Sequence, residues 1–120
     1  MRRHLHQPTA NDGKLIDIFF WGTTKDSKPD PRDFVKENKE AVHRLALAGV
    51  LMNGETIASY RGIAMCRMPN CKVGLGSSDL AAFGYRFPQG CEHYVLMHNV
   101  WVPGCDELLG LAIKEVRNAR

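Results

Sequence analysis

The chain has 120 residues, a formal net charge of +3, four cysteines and five histidines. A chain of this length normally folds as one domain and buries only about two-thirds of its unfolded surface, so a structural metal would add usefully to a modest core. The small net charge does not by itself indicate a nucleic-acid binder. No apolar run of about 18 residues is present, which excludes a membrane-spanning helix.

The N-terminal segment is polar and does not have the pattern of a secretory signal. It begins Met1-Arg2-Arg3-His4 and continues without an apolar stretch. We therefore expect residues 1–13 to be a flexible tail and residues 14–120 to form a single domain. In a cytoplasmic protein, which this composition favours, cysteines are free thiols or metal ligands and rarely form disulfides.

The first predicted element is a strand over residues 14–21. This segment is almost continuously apolar and rich in β-forming residues. Such a pattern is typical of a strand buried on both sides, or of one covered by a partner. The part from Ile16 to Trp21 therefore favours a protein partner or self-association through a strand edge or apolar patch.

A helix is predicted to follow, with Asp30 as the N-cap and Pro31 at the first helical position. Its end is set by the Asn53-Gly54 turn. The apolar stripe expected to face the core consists of Phe34, Ala41, Val42, Leu45, Ala48 and Gly49.

The middle of the chain predicts a hairpin and a helix. Residues 56–66 are expected to form a strand, residues 74–78 a glycine-rich loop, and residues 82–87 the return strand. Residues 89–98 are predicted to be helical, which completes a ββα module over about residues 57–103. A last helix is expected from Asp106 to about Asn118, with Leu109, Ile113 and Val116 on its buried face.

The most informative residues are two cysteines and two histidines. Cys66 and Cys71 flank a segment containing Pro69 and Asn70, which favour a tight turn, while His93 and His98 stand five apart on the predicted helix. Two thiolates and two imidazoles are a ligand set for tetrahedral zinc. Five helical positions separate the two rings by roughly 140°, so we expect the helix to tighten in its last turn near Asn99. The pattern predicts one structural zinc ion.

Several other uses of these residues remain open. Cys91 or Cys105 could replace His98 if its ring points away, and otherwise each is a small buried residue. The motifs of zinc deaminases and of His-Glu-x-x-His metalloproteases are absent. A metal-dependent nuclease of the ββα type remains the alternative function, although four protein ligands would close its coordination sphere.

Basic and aromatic residues alternate around the two cysteines. The cations are Arg61, Arg67, Lys72 and Arg86, and the aromatic residues are Tyr60, Tyr85 and Phe87. This interleaving is typical of a surface that binds single-stranded nucleic acid. It is also typical of the solvated edge of a small hairpin, which is the interpretation that we favour. We expect Arg61, Arg67, Lys72, Tyr85 and Arg86 to be the contact residues for a nucleic acid or a protein partner.

About half of the chain, residues 59–103, resembles a group of small uncharacterised bacterial proteins. Their shared pattern is Tyr-Arg-Gly, Cys-Arg-x-Cys, Asn-Gly-Ser and His-Tyr-Val-x-x-His. The matching segments here begin at Tyr60, Cys66, Gly76 and His93. This chain differs by two extra residues between the cysteines and by Leu75, where asparagine is usual. The resemblance implies that Cys66, Cys71, His93 and His98 are the recurring set, and it implies no activity.

These observations predict a small α+β domain with a zinc-stabilised ββα module and flanking strand and helices. The predicted function is a non-enzymatic zinc-binding interaction module. A protein partner is slightly favoured over a nucleic acid.

Overall fold

The structure is a computed structural model that describes residues 14–24 and 27–118. The predicted N-terminal tail, residues 1–13, lies outside the described residues. Within them the chain forms an α+β domain, as predicted, with one four-stranded sheet and three α-helices. The strands are β1 Ile16–Asp17, β2 Glu55–Met65, β3 Gly74–Ala82 and β4 Tyr85–Pro88, and the helices are α1 Ala41–Met52, α2 Glu92–His98 and α3 Cys105–Asn118.

The sheet has the strand order β1-β4-β3-β2. Strand β1 runs parallel to β4, whereas β2, β3 and β4 pair antiparallel with their neighbours. The longest strand, β2, therefore lies at one edge of the sheet. It forms a hairpin with β3, and the predicted cysteine turn connects these two strands.

The glycine-rich segment at residues 74–78 is the beginning of β3, so the predicted loop is wrong. Its small residues pair with β2, with Ala64 opposite Gly76 and Met65 opposite Gly74. Weak strand propensity is overridden here by pairing with a neighbouring strand. The predicted return strand at residues 82–87 is interrupted by a turn at Phe83 and Gly84, where φ is 52° and 86°.

The apolar segment after Lys14 forms a strand over only two residues. The following Ile18 and Phe19 are 5% and 2% exposed and belong to the core. At Phe19 the backbone takes a φ of 65°, which ends the extended conformation. Of the two alternatives left open by the sequence, burial within the chain is the one found for these two residues.

The helix predicted from residue 30 is divided in two. Asp30 is the N-cap, as predicted, and accepts a hydrogen bond from the Arg32 N–H at 2.8 Å. The Arg32 guanidinium also binds this carboxylate and holds the Asp30 pKa below its usual range. However, this segment is a 3₁₀ helix that ends at Phe34, and Val35 bridges to Val100 before α1 begins.

The buried faces of α1 and α3 differ from the predicted stripes. Helix α1 buries Leu47, Ala48 and Leu51, whereas Val42 and Leu45 are 63% and 64% exposed. Because α1 is apolar around most of its circumference, hydrophobic periodicity alone does not identify the face that meets the core. Helix α3 buries Cys105, Leu108, Leu109 and Ala112, while Ile113 and Val116 are exposed.

The core lies where the three helices meet the sheet. Its largest side chains with almost no exposure are Leu47, Leu51, Phe87, Tyr94, Val95, Val100 and Leu108. Tyr94 and Val95 come from α2, so two core side chains fix the short helix that carries the two candidate histidines. In the part of the chain that is described, no helix has both the length and the apolar character to cross a membrane.

Candidate metal centre

The structure brings all four predicted ligands together. One potential ligand atom from each of Cys66, Cys71, His93 and His98 lies within 4.8 Å of the others. Cys66 is buried and the other three side chains are partly buried. Two elements that are distant in sequence, the β2–β3 hairpin and helix α2, thus contribute two ligands each, and together they could hold a metal ion.

The spacing of the four atoms suits a tetrahedral ion. The Nε2 atoms of His93 and His98 are 3.1 Å apart, and each lies close to one thiol sulfur. The separations from Cys66 Sγ to His98 Nε2 and from Cys71 Sγ to His93 Nε2 are 3.5 and 3.3 Å. A tetrahedral site with usual Zn–S and Zn–N bond lengths requires about 3.3 Å between two nitrogens and about 3.6 Å between nitrogen and sulfur. These three separations are close to those of a tetrahedral metal site, so the group could hold a metal ion.

The hairpin turn aims the two thiols at one point. Cys66 follows the last residue of β2, and its N–H donates to the carbonyl of Val73 at 2.9 Å, which continues the ladder. The chain then reverses through a turn in which the Cys71 N–H donates to the Met68 carbonyl. Asn70 supplies the left-handed residue of this turn, with a φ of 64°. The Met68 N–H points back to Cys66 Sγ at 3.5 Å, so the turn also offers a donor to a thiolate.

Helix α2 brings its two histidines together by widening its end. The N–H groups of Asn99 and Val100 both donate to the carbonyl of Tyr94, and Asn99 has a left-handed φ of 59°. A bond that spans five residues encloses a wider turn than the usual α-helical bond. Residues five apart then point closer together than in a regular helix. The last turn is thus wider than in a regular helix, and the predicted tightening is wrong. The imidazole rings of His93 and His98 therefore converge, with their Nε2 atoms 3.1 Å apart.

A second set of contacts fixes the hairpin against the start of α2. The Gln89 N–H donates to the Ser78 carbonyl at 2.7 Å, and the Gln89 side chain accepts from the Ser77 N–H at 3.1 Å. Gly90, with a φ of 86°, passes so close to β3 that an added Cβ would lie 2.3 Å from the Leu75 carbonyl oxygen. The cysteine and histidine pairs are thus held together by backbone contacts as well as by any ion.

Sequence reasoning missed the role of Tyr94 in supporting the centre. Its buried hydroxyl accepts a hydrogen bond from the Arg67 N–H at 2.8 Å, just after the first cysteine ligand. Its ring centroid lies 6.0 Å from that of His93 and 6.3 Å from that of His98. A tyrosine beside a histidine on a short helix gives no signal of this contact, because the contact depends on the hairpin folding over α2.

Burial shifts the proton equilibria of the free ligands. Burial raises the pKa of the Cys66 thiol, and the Cys71 thiol adds to this effect while the Met68 amide opposes it. Burial likewise lowers the pKa of His98, and His93 lowers it further. Both shifts follow because a partly dry cluster disfavours charged side chains. A divalent cation compensates the charge of two thiolates, so its binding displaces the thiol protons and weakens as the pH falls.

The other two cysteines lie apart from the centre. Cys91 and Cys105 are both 0% exposed and belong to the hydrophobic core. Burial raises the pKa of the Cys105 thiol to about 12 and that of the Cys91 thiol well above its usual range. The group of potential ligand atoms contains neither residue. The structure thus places both as small apolar residues, which was the second alternative left open by the sequence.

The predicted contact residues are only partly on the surface. Tyr85 is 3% exposed and its hydroxyl donates to Glu107, which corrects the expectation that it contacts a ligand. The Arg86 guanidinium donates two hydrogen bonds, each 2.8 Å long, to the carboxylate of Asp17.

The Arg67 guanidinium donates to the carbonyls of Gly22 and Thr24, which holds a neighbouring loop against the hairpin. Among the predicted cations, this leaves Arg61 and Lys72 as exposed side chains for which the structure gives no such internal role.

Comparisons with protein families, with curated proteins and with solved structures find no match for this chain. The resemblance to a group of small bacterial proteins therefore stays a prediction.

Proposed function

We propose that this protein is a non-enzymatic zinc-binding interaction module, in which one zinc ion holds a protruding hairpin in place for a protein partner. The observation that carries this proposal is the closed set of two thiols and two imidazoles from the β2–β3 hairpin and α2, all within 4.8 Å of one another. The ion would act as a cross-link between these two elements, in addition to the hydrogen bonds that already join Gln89 to β3 and Arg67 to Tyr94.

Zinc is the ion that this ligand set favours. Thiolate and imidazole ligands in a tetrahedral arrangement suit Zn²⁺, whereas Mg²⁺ and Ca²⁺ require oxygen ligands. The group formed by the described residues contains no carboxylate. Two thiolates with two neutral imidazoles also give a neutral zinc complex, which suits a partly buried position.

A hydrolase or nuclease, the alternative function, finds less support. Catalytic zinc ions keep one coordination position open for water or substrate, whereas structural ions have four protein ligands. Here Cys66, Cys71, His93 and His98 would occupy all four positions. The cluster also lacks an acidic residue that could act as a general base. Coordination of this kind supports a structural role for the ion.

The hairpin that the ion would fix has an unusually apolar surface. Its exposed side chains include Ile57, Tyr60, Ile63, Met65 and Val73, with exposed fractions of 44% to 65%. From Ser59 to Ala64 the pairing with β3 shifts register, so residues 60–63 bulge from the ladder at the open edge of the sheet. Several exposed apolar side chains on an edge strand are typical of a protein-binding site.

A nucleic acid is a weaker candidate for the same surface. Arg67 and Arg86 are engaged within the fold, and Tyr85 is buried, which removes three of the five predicted contacts. The two remaining cations, Arg61 and Lys72, would neutralise at most about two phosphates, and nucleic-acid affinity depends chiefly on the number of such contacts. The exposed apolar side chains outnumber these cations, which supports a protein partner.

The proposal predicts that a lysate partner binds through the hairpin. Immobilised wild-type protein is expected to retain a specific protein from nuclease-treated lysate of the source organism, whereas Ile63→Asp is expected to retain at least about tenfold less, because a charge then lies in the apolar surface. Leu111→Asp, at an exposed apolar residue on α3, is the control and should leave capture unchanged. Ile63 and Leu111 are 65% and 38% exposed, so neither change disturbs the core.

Two results would contradict this function. Capture that disappears after nuclease treatment, together with oligonucleotide binding that Arg61→Ser and Lys72→Ser abolish, would indicate a nucleic-acid ligand. Metal-dependent cleavage of DNA or RNA by the purified chain would indicate a hydrolase.

A further inference from the structure

Helix α1 has two apolar faces, of which the core covers only one. Among its residues only His43 and Arg44 have polar side chains. A helix that is apolar on nearly all sides is normally buried on nearly all sides. Leu47, Ala48 and Leu51 are buried against the domain, yet Leu45 is 64% exposed. The outer face of α1 is therefore an apolar surface that nothing in the described chain covers.

The exposed side chains of α1 form a narrow ridge. Val42, Leu45, Gly49 and Met52 follow one another at spacings of three and four residues. At 100° per residue they occupy an arc of about 80°, and this is the spacing of the contact seam in paired helices. Val42, Leu45 and Met52 are 63%, 64% and 59% exposed, and an added Cβ on Gly49 would meet no atom within 4 Å. We call these four residues the α1 ridge.

Beside the ridge lies a groove between α1 and α3. It has a volume of about 450 Å³ and is lined by Ala46, Val50, Leu109, Ala112, Ile113, Val116 and Arg117. Arg117 is the one charged residue of this lining and stands toward the end of α3. We call this the α1–α3 groove. The predicted buried face of α3 was wrong for Ile113 and Val116 because these two side chains line the groove.

A ridge next to a groove is self-complementary. In a two-fold dimer the same patch is used by both chains, so residue i of one chain contacts residue j of its partner and the reverse also holds. In such a dimer the α1 ridge of each copy can fill the α1–α3 groove of the other. From Leu45 to Met52, α1 contains no charged residue, so two copies of this face meet without like-charge repulsion.

The charges at the ends of the patch determine the orientation. Lys39 lies 3.4 Å from Asp106, so α1 and α3 begin side by side. Because residues of both helices then line the same groove, the two helices run in roughly the same direction. Arg117 therefore lies toward the C-terminal end of α1. Glu40 lies at the N-terminal end of α1, where its carboxylate is 3.7 Å from His43 Nδ1 and its side chain is 72% exposed. When the α1 helices of two copies run antiparallel, Arg117 of each copy faces Glu40 of the other. A parallel pair would bring the like charges together.

The size of the patch indicates a weak dimer. Helices of 12 and 14 residues are about 18 and 21 Å long and pack about 10 Å apart, so together they present a face of roughly 20 by 20 Å. A standard interface buries about 800 Å² on each partner, or about a tenth of a small protein's surface. The total surface here is 7690 Å². The available face, about 400 Å², is smaller than this standard size, which corresponds to a weak, reversible association.

We propose that this chain forms a two-fold dimer in which the α1 ridge of each copy lies in the α1–α3 groove of the other, with the α1 helices antiparallel. The proposal does not depend on the function of the hairpin, because α1 and α3 carry none of the four candidate ligands. A partner of other sequence in this groove is the competing occupant.

Sedimentation equilibrium of the zinc-saturated chain tests the proposal. The wild type is expected to form a reversible dimer with a dissociation constant in the micromolar range, about 10 to 300 μM. Leu45→Glu is expected to raise this constant at least about tenfold, because it places a charge in the partner's apolar groove. Leu111→Glu is the control, since Leu111 is an exposed apolar residue of α3 outside the ridge and the groove, and it should leave the constant within about twofold. Unchanged melting temperatures show that both variants fold.

A charge exchange tests the orientation in the same assay. Arg117→Glu and Glu40→Arg are each expected to weaken the dimer several-fold, and the double variant is expected to recover it. The proposal is overturned by a wild type that stays monomeric to about 1 mM, which would assign the groove to a different partner. It is likewise overturned by a dimer that Leu45→Glu does not affect, or by a double variant no better than the single ones.

Discussion

Replacing Cys71 with Ala is expected to abolish metal binding and to remove the cooperative thermal unfolding of the domain. Binding of structural zinc contributes on the order of 10 kcal/mol in small modules. The whole free energy of unfolding of a typical domain is only about 5–15 kcal/mol. Because Cys71 of the hairpin turn would bind the metal together with His93 of α2, its loss removes the metal cross-link between the two elements. Circular dichroism during heating, with metal content measured on the same sample, gives the result.

Cys91→Ala provides the matched control for this experiment. It also removes a thiol, but from a core position that is 0% exposed and lies outside the ligand group. We expect it to keep its full metal content and to lose only about 1 kcal/mol, the usual cost of a modest core change. A Cys71→Ala protein that melts like the wild type would refute a structural role for the metal. Loss of metal from Cys91→Ala would show that Cys91 is a metal ligand, contrary to its position in the core.

Phe87→Ala is expected to cost about 3–5 kcal/mol, the usual range for removing a fully buried aromatic side chain. Phe87 is 0% exposed and pairs with Leu80 across β3 and β4. Packing around it is tight, since an added Cβ on Gly54 would lie 3.0 Å from its ring. Urea unfolding with excess zinc in both samples measures the difference while the metal contribution stays the same.

Ile63→Ala is the control for the core substitution. Ile63 is 65% exposed on the hairpin, so its truncation should change the free energy of unfolding by no more than about 0.5 kcal/mol. If Phe87→Ala costs less than about 1 kcal/mol, the core described around β4 and α2 is incorrect.

The four candidate ligands could be identified from the sequence because their chemistry and spacing are local properties. Two cysteines on either side of a turn and two histidines on one helix are recognisable without a fold. The way in which the histidines converge was not predictable. It depends on the Tyr94 carbonyl accepting hydrogen bonds from both Asn99 and Val100, which widens the helix end.

The element types were predicted better than the faces that they bury. Asp30 is the N-cap because a carboxylate followed by proline acts through its nearest neighbours. The buried face of α1 depends instead on which side contacts α2 and α3. Because α1 is almost wholly apolar, its sequence does not indicate that side. Contacts between distant segments explain the other differences as well. The glycine-rich residues 74–78 form a strand only because they pair with β2.

Cations predicted to form one surface also separate once the chain is folded. Arg67 and Arg86 lie near the cysteines in sequence, yet their guanidinium groups bind carbonyls of a loop and the carboxylate of Asp17. A charged residue can be recognised in a sequence, but its partner depends on tertiary structure. Composition alone therefore overstated the basic character of the surface around the centre.

The most direct test of the central claim is the metal content of the wild-type chain purified without chelators. Elemental analysis is expected to find one zinc per chain, bound by Cys66, Cys71, His93 and His98, whose ligand atoms lie within 4.8 Å of one another. A zinc content below about a tenth of an equivalent in correctly folded protein, with no other metal in its place, would contradict the account.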